Sequence, residues 1–122
     1  MEKDKIILID PKKNRISIPR KNILCIGNPS HILLLVNPEE RTLIVSQGDE
    51  SDKRSNRVPL LKGERNREVE LYSKSLIQSI LSITKRWQDG FAYRTVGEYI
   101  PSENILRFYI DELRPFVRGR KC

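Results

Sequence analysis

The chain has 122 residues, of which 38% are hydrophobic and 32% charged, which suits one globular domain with its own core and excludes a disordered segment. Its net charge of +7 favours a polyanionic partner or a basic arm. No apolar run approaches the roughly 18 residues of a transmembrane helix, and residues 1–5 lack the apolar core of a signal peptide. We therefore expect a cytoplasmic protein that does not enter a membrane.

The first half of the chain predicts a β-hairpin, a short helix and a second hairpin. Turn-forming residues separate the strands of each hairpin, and Gly27-Asn28-Pro29 is a typical stop signal for the helix between them. The first strand of the second hairpin is apolar without alternation, so we expect both of its faces to be covered, either in a closed barrel or by a partner chain. The strands are predicted over residues 6–9, 15–19, 32–36 and 42–47, and the helix over 20–26.

The second half predicts the same order of elements after a linker at 48–56, which contains no apolar residue. Its helix has the strongest pattern in the chain, because Ser73 is a suitable N-cap and an apolar stripe follows at helical spacing. This stripe consists of Leu76, Ile77, Ile80 and Leu81, with Trp87 as a candidate further member. The predicted strands cover residues 58–61, 67–72, 91–100 and 105–110, and the helix covers 73–87.

Short matches between the halves recur in one order, which predicts an internal duplication. Asn14-Arg15 corresponds to Asn66-Arg67, and Ile16-x-Ile18 corresponds to Val69-x-Leu71. Pro38-x-Glu40-x-x-Leu43 corresponds to Pro101-x-Glu103-x-x-Leu106. The predicted fold is a single α+β domain over 1–122, a tandem duplication of a ββαββ unit with an antiparallel sheet and two helices on one face. The repeats span 5–50 and 57–112, and a basic tail follows at 113–122.

Residues for catalysis or metal binding are scarce in this sequence. His31 is the only histidine, so no histidine-based metal cluster or catalytic triad can form within one chain. The two cysteines, Cys25 and Cys122, predict neither a zinc site nor a disulfide, and no glycine-rich phosphate loop is present. We expect a protein that is not an enzyme, with no catalytic residues, no metal and no cofactor.

The positive charge is concentrated around the predicted helices and in the second half. Residues 54–122 contain fourteen Lys/Arg against eight Asp/Glu, and no acidic residue lies between Asp10 and Glu39 or between Glu70 and Asp89. An ordinary solvated helix face usually mixes both charges, so these acid-free stretches favour contact with a phosphate backbone. The candidate nucleic-acid-binding residues are Lys12, Lys13, Arg20, Lys21, Lys74, Gln78, Lys85 and Arg86.

A duplicated β-rich unit with one basic helix per copy resembles the building block of DNA sliding clamps. That resemblance covers nearly the whole chain and rests on topology and helix charge, with no diagnostic motif. It implies a homo-oligomeric ring around double-stranded DNA, with six chains if the usual twelve helices are kept. It also implies replication proteins as partners and phosphate contacts without sequence specificity.

A second resemblance is local. Asn14-Arg15-Ile16-Ser17-Ile18-Pro19, followed by a short helix, Gly27 and two strands, is similar to the AbrB/MazE swapped-hairpin family over residues 5–47. That resemblance implies a dimeric transcriptional regulator or antitoxin, with DNA contacts from Lys12, Lys13, Arg15 and Arg20. Asn14 stands where the family often has glycine, and the second half lacks the proline and has a predicted helix too long for that fold. A protein-interaction module is the third hypothesis.

Overall fold

The computed structural model describes residues 4–59, 68–84, 87–88 and 90–116. Two α-helices, Arg20–Cys25 (α1) and Lys74–Ile83 (α2), interrupt a series of strands. Two 3-10 turns, Pro11–Lys13 and Ile110–Glu112, follow β1 and β8. The strands are Lys5–Asp10 (β1), Arg15–Pro19 (β2), His31–Asn37 (β3), Thr42–Gln47 (β4), Asn56–Arg57 (β5), Glu68–Tyr72 (β6), Ala92–Ile100 (β7), Ile105–Tyr109 (β8) and Arg114–Phe116 (β9).

The strands form one sheet in the order β5-β3-β4-β8-β7-β1-β2-β6, and every described ladder is antiparallel. The hairpin β7–β8 lies in the middle, because β4 pairs with the free side of β8 and β1 with the free side of β7. Strands β8 and β9 pair with the same side of β7. Strand β9 pairs with the first residues of β7 and β8 pairs with its last residues. The predicted antiparallel α+β fold is confirmed at this level.

The sheet is strongly curved, and its concave face holds the core. Helix α2 contacts β2 near one edge of the sheet and β3 near the other, which requires the two edges to turn towards each other. Every second residue of a strand points to this face. On β1, for example, Ile7 and Ile9 point to it and are at most 1% exposed, whereas Ile6 points away and is 38% exposed. Tyr93 and Phe108 are the largest side chains buried in this core.

The two helices lie at opposite ends of the strands. Helix α1 follows the last residue of β2 and precedes β3, whereas α2 follows β6 and precedes β7. The antiparallel registers place the end of β2 and the start of β3 at one end of the sheet, and the end of β6 and the start of β7 at the other. We call these the α1 end and the α2 end. Both helices bury isoleucines in the concave core, so they share one face of the sheet without lying side by side.

The sequence predictions of most elements agree with the structure to within one or two residues. Ser73 caps α2 as predicted, since its Oγ accepts a hydrogen bond from the Leu76 N–H at 3.2 Å. The helix ends at Ile83, and residues 85, 86 and 89 of the predicted helical stretch and its end lie outside the described residues. Among the described residues nothing covers the convex face of β3 fully, because Leu35 points to that side and is 40% exposed. Cover of this face by a partner chain stays a prediction.

Residues 48–56, predicted as a linker, form a series of tight turns that return the chain to the sheet. The N–H of Ser51 donates to Asp49 Oδ1 and that of Arg54 to Asp52 Oδ1, which is the hydrogen bonding typical of Asx turns. The Ser51 N–H lowers the pKa of Asp49, and the Arg54 guanidinium, 3.0 Å from Asp52 Oδ2, together with the Arg54 N–H lowers the pKa of Asp52. The chain then pairs with β3 through the short strand β5. Residues 60–61 and 67, at the predicted strands 58–61 and 67–72, lie outside the described residues, and Val58 is not in a strand.

Substitution of Gly97 by alanine tests the close packing of β7 on β8. A Cβ at this position would lie 2.1 Å from the carbonyl oxygen of Arg107 and 2.5 Å from Phe108 Cδ1, so the backbone of β8 would have to move. We expect Gly97→Ala to lower the free energy of unfolding by about 1–3 kcal/mol. Urea denaturation measures this change, with Ser102→Ala in the exposed β7–β8 turn as the control. A Gly97→Ala protein as stable as that control would contradict the pairing.

Candidate nucleic-acid interface

The described residues are nearly neutral as a set, with fourteen Lys/Arg and thirteen Asp/Glu. Most of the net charge of +7 therefore belongs to other parts of the sequence, and net charge alone does not locate a binding surface on the sheet. What distinguishes one surface from another is whether its cations are neutralised by neighbouring carboxylates.

Two arginines near the α2 end are bonded to carboxylates and are not free to bind a ligand. Arg15, on β2, lies 3.4 Å from both Asp10 and Glu70, which belong to the two strands that flank β2. Arg41, in the β3–β4 turn, makes an ion pair of 2.6 Å with Asp111, and that hydrogen-bonded carboxylate raises the pKa of the guanidinium. These cations stabilise the protein's own structure.

A third cation is neutralised on the convex face of β7 and β8. The Tyr109 hydroxyl donates a hydrogen bond to the carboxylate of Glu98, which is only 9% exposed, and this bond together with burial raises the pKa of Tyr109. Arg107 lies directly opposite Glu98 in the ladder and is hydrogen-bonded to the same tyrosine, which raises the pKa of the arginine. This cluster links two central strands and neutralises Arg107 within the protein.

Arg94 and Arg114 differ from all of these residues. They lie directly opposite each other in the β7–β9 ladder, so their side chains leave the same face of the sheet side by side, and both are exposed. Neither forms an ion pair with any described acidic residue. Two like charges in this position repel each other, which destabilises the ladder. An anion bound between them would remove that repulsion.

The first 3-10 turn and the start of α2 add three exposed lysines at the same end of the sheet. The N–H of Ser73 donates to the carbonyl of Asn14 at 2.9 Å, which brings the residues just before α2 against the end of the turn. Lys12 and Lys13 lie on one side of this hydrogen bond, and Lys74 follows Ser73 on the other. None of the three is paired with an acidic residue in the part of the chain that the structure describes.

A groove of about 490 Å³ lies between this turn, α2 and the segment that leads into β7. Its base is apolar, formed by Ile77 and Leu81 of α2 together with Trp87 and Phe91, and its rim includes Lys12 and the amides of Gln78 and Gln88. The described residues that line it include no acidic side chain. We call this feature the α2 groove.

The structure brings together some of the predicted binding residues and separates others. Lys12, Lys13, Lys74 and Gln78 all lie at the α2 end. Arg20 and Lys21 lie on α1 at the opposite end, and Arg20 is only 9% exposed because its guanidinium packs inward and donates to the Pro59 carbonyl at 2.8 Å. Lys85 and Arg86 lie outside the described residues.

Arg94, Arg114 and Trp87 were absent from the residues predicted from the sequence. No local pattern marks Arg94 and Arg114, because they are 20 positions apart and meet only through the pairing of β7 with β9. The predicted tail at 113–122 contains Arg114, but its first residues form a strand. Trp87 was interpreted as part of an apolar helix stripe, whereas it follows the end of α2 and is 38% exposed.

Comparisons with protein-family models, with curated proteins and with solved structures gave no match to this chain. Among the described residues there is no group of three or more His, Cys, Asp or Glu side chains that could hold a metal ion. Neither helix in that part of the chain is long and apolar enough to cross a membrane.

Replacing Arg114 with glutamate tests the repulsion between Arg94 and Arg114. We expect Arg114→Glu to raise the free energy of unfolding by about 0.2–1 kcal/mol at low salt, since it converts a like-charge pair into an opposite-charge pair. The gain should shrink as salt is added, because exposed charges are screened. Urea denaturation at two salt concentrations measures both effects, and Arg114→Gln should give an intermediate value. A less stable Arg114→Glu protein would show that the two side chains do not face each other.

Proposed function

We propose that this chain is a non-catalytic nucleic-acid-binding protein that contacts phosphate groups with its α2 end. The observation that carries the proposal is the opposed pair Arg94 and Arg114, exposed and without an acidic partner among the described residues. Paired guanidinium groups suit the oxygens of a phosphate, and lysines add electrostatic attraction without sequence specificity. Lys12, Lys13 and Lys74 extend this cationic surface at the same end of the sheet.

The order of residues in the sequence also supports the choice of this end. Lys85 and Arg86 come directly after Thr84, the C-cap of α2. Phe116 pairs with Ala92 at the start of β7, and three basic residues follow it shortly in the sequence: Arg118, Arg120 and Lys121. Both basic segments are thus attached to the sheet at its α2 end. Basic residues at that end would increase the attraction for a polyanion.

We further propose that the two halves are copies of one ββαββ unit related by a twofold axis. The sequence match aligns Leu43 with Leu106, and hence Val45 with Phe108. In the ladder between β4 and β8, Leu43 lies opposite Phe108 and Val45 lies opposite Leu106. Exchanging the halves converts each of these pairs into the other, which is the register that a twofold axis between β4 and β8 requires.

The ladder between β2 and β6 supports the same axis. The sequence match aligns Ile16 with Val69 and Ile18 with Leu71. Ile16 lies opposite Leu71 and Ile18 opposite Val69, so exchange of the halves again converts one pair into the other.

The helix ends agree with this relation as well. Arg41 and Asn104 are equivalent turn residues with φ angles of 58° and 53°. Each donates to the last carbonyls of the helix in the other half, Arg41 to the Ile83 carbonyl at 2.8 Å and Asn104 to the Ile26 carbonyl at 3.3 Å.

This arrangement favours the resemblance to swapped-hairpin proteins over the resemblance to sliding clamps. A ring that encloses DNA needs both helices of each chain to present basic residues to the hole. Here Arg20 of α1 is buried, and the two helices, although they share one face of the sheet, lie at opposite ends of the strands. In a swapped-hairpin protein, two ββαββ units exchange strands to form one body. Here β4 pairs with β8 and β2 with β6 inside a single chain, so one chain would have the fold that two chains form in such a dimer.

Gel filtration with light scattering separates these two hypotheses. We expect a monomer, because the ladders that two separate units would exchange are made within the chain. A ring-sized assembly at micromolar concentration would instead support the clamp hypothesis. Competition between unrelated DNA sequences then tests for a regulator, since a base-reading complex discriminates among sequences by roughly a thousandfold or more.

Charge removal at the α2 end tests the binding proposal itself. We expect the double variant Lys13→Gln/Arg94→Gln to bind fluorescein-labelled DNA about tenfold more weakly at moderate salt, since two phosphate contacts are lost. The slope of log K against log salt should fall by about two for the same reason. Fluorescence anisotropy at several salt concentrations measures both quantities.

The control is the double variant Lys21→Gln/Arg57→Gln, which removes the same charge from exposed residues at the α1 end. It should bind nearly as tightly as the unmodified protein. Equal weakening by the two double variants would mean that net charge alone attracts DNA and would remove the α2 end as the interface. Absence of binding to any nucleic acid would refute the function.

A further inference from the structure

We propose that the α2 groove binds an unpaired nucleotide base, so that the partner is a single-stranded nucleic acid or a strand with an extruded base. This inference rests on the proposed function, because the surrounding lysines supply the attraction for the strand. It differs from the double-stranded DNA partner that the sequence resemblances imply. The occupant is inferred from the chemistry of the groove, its charge and its position beside the cationic surface.

The groove has the components that recognise an unstacked base. Trp87 and Phe91 provide aromatic surfaces in a groove whose base is completed by Ile77 and Leu81, and a base is a flat ring that stacks on such surfaces. The side-chain amides of Gln78 and Gln88 can each donate and accept hydrogen bonds, as the polar edge of a base requires.

The charge around the groove complements a sugar-phosphate backbone. Lys12 lies on its rim, and Lys13 and Lys74 are exposed beside it. The described lining residues carry no carboxylate that would repel a phosphate. A base in the groove would therefore leave its phosphate among lysines. Single-strand-binding proteins combine the same two components, an aromatic stacking surface and a positively charged path for the backbone.

The segment that carries Trp87 is held in place by a buried residue of the core. Tyr93 is 2% exposed, and its hydroxyl donates to the Gln88 carbonyl at 3.1 Å and accepts a hydrogen bond from the Gln88 N–H. These two bonds fix the backbone next to Trp87. A stacking surface that is already positioned loses little conformational freedom on binding, which favours affinity. The exposure of Trp87, at 38%, thus occurs on an anchored segment.

Trp87 is the only tryptophan in the chain, so its fluorescence reports on the groove directly. The experiment titrates the full chain with three probes of equal length: a single-stranded oligothymidine, the same strand with abasic sites, and a duplex. We expect the single strand to quench the fluorescence and to bind at least about fivefold more tightly than the abasic strand, since each stacked base contributes measurably to affinity.

Three variants complete the test. Trp87→Ala should weaken binding of the single strand about tenfold and leave binding of the abasic strand unchanged, whereas Trp87→Phe keeps an aromatic ring and should retain most of the affinity. Tyr72→Ala is the matched control, because Tyr72 is an exposed aromatic residue, at 63%, that is not among the lining residues of the groove. Circular dichroism verifies that each variant is folded.

The outcomes separate this inference from the function on which it rests. Equal affinity for the normal and abasic strands, without quenching, would overturn the base-binding inference and leave phosphate binding intact. Preference for the duplex would overturn it as well. If none of the three probes binds, the proposed function fails and the inference fails with it.

Discussion

The ladder between β4 and β8 is the contact on which the rest of the structure depends. It joins the hairpin β3–β4 of the first half to the hairpin β7–β8 of the second, and β2–β6 makes a further cross-half ladder within the same sheet. Because the sheet curves, these ladders direct apolar residues from both halves into one core. Neither half could bury its apolar face alone, and the hydrophobic gain from that burial is shared between them.

The same pairing determines where the helices and the charges lie. Each helix connects strands that meet at one end of the sheet, so α1 and α2 occupy opposite ends. At the α2 end, some cations are bonded to carboxylates of neighbouring elements, as in the pair Arg41–Asp111, and others have no such partner among the described residues. Like charges directly opposite each other in a ladder, as Arg94 and Arg114 are, are expected to reduce the stability of the free protein. Such a cost is commonly found where a surface serves binding rather than folding.

The sequence predicted the elements well because each has a local signal. Alternation or a short apolar run identified the strands, and Ser73 identified the start of α2. Gly27 marked the end of α1, where its φ angle of 101° is one that glycine adopts readily. The exposure of Leu35 was not predicted, since an apolar run alone does not reveal whether its second face is covered. Lys12, Lys13, Lys74 and Gln78 were identified from the lack of acidic residues around the predicted helices, but their separation from Arg20 depends on sheet order. The meeting of Arg94 with Arg114 depends on a ladder that no local pattern encodes.

The most direct test of the central claim is a residue-by-residue map of the surface that nucleic acid contacts. Two-dimensional ¹H–¹⁵N NMR spectra of the labelled chain, recorded during titration with a short oligonucleotide, provide that map. We predict that the largest shifts occur at the backbone amides of Lys13, Gln78, Arg94 and Arg114, and that Lys21 and Arg57 at the α1 end remain unchanged. Shifts centred on the α1 end, or spread evenly over the surface, would contradict the assignment of the α2 end as the binding surface.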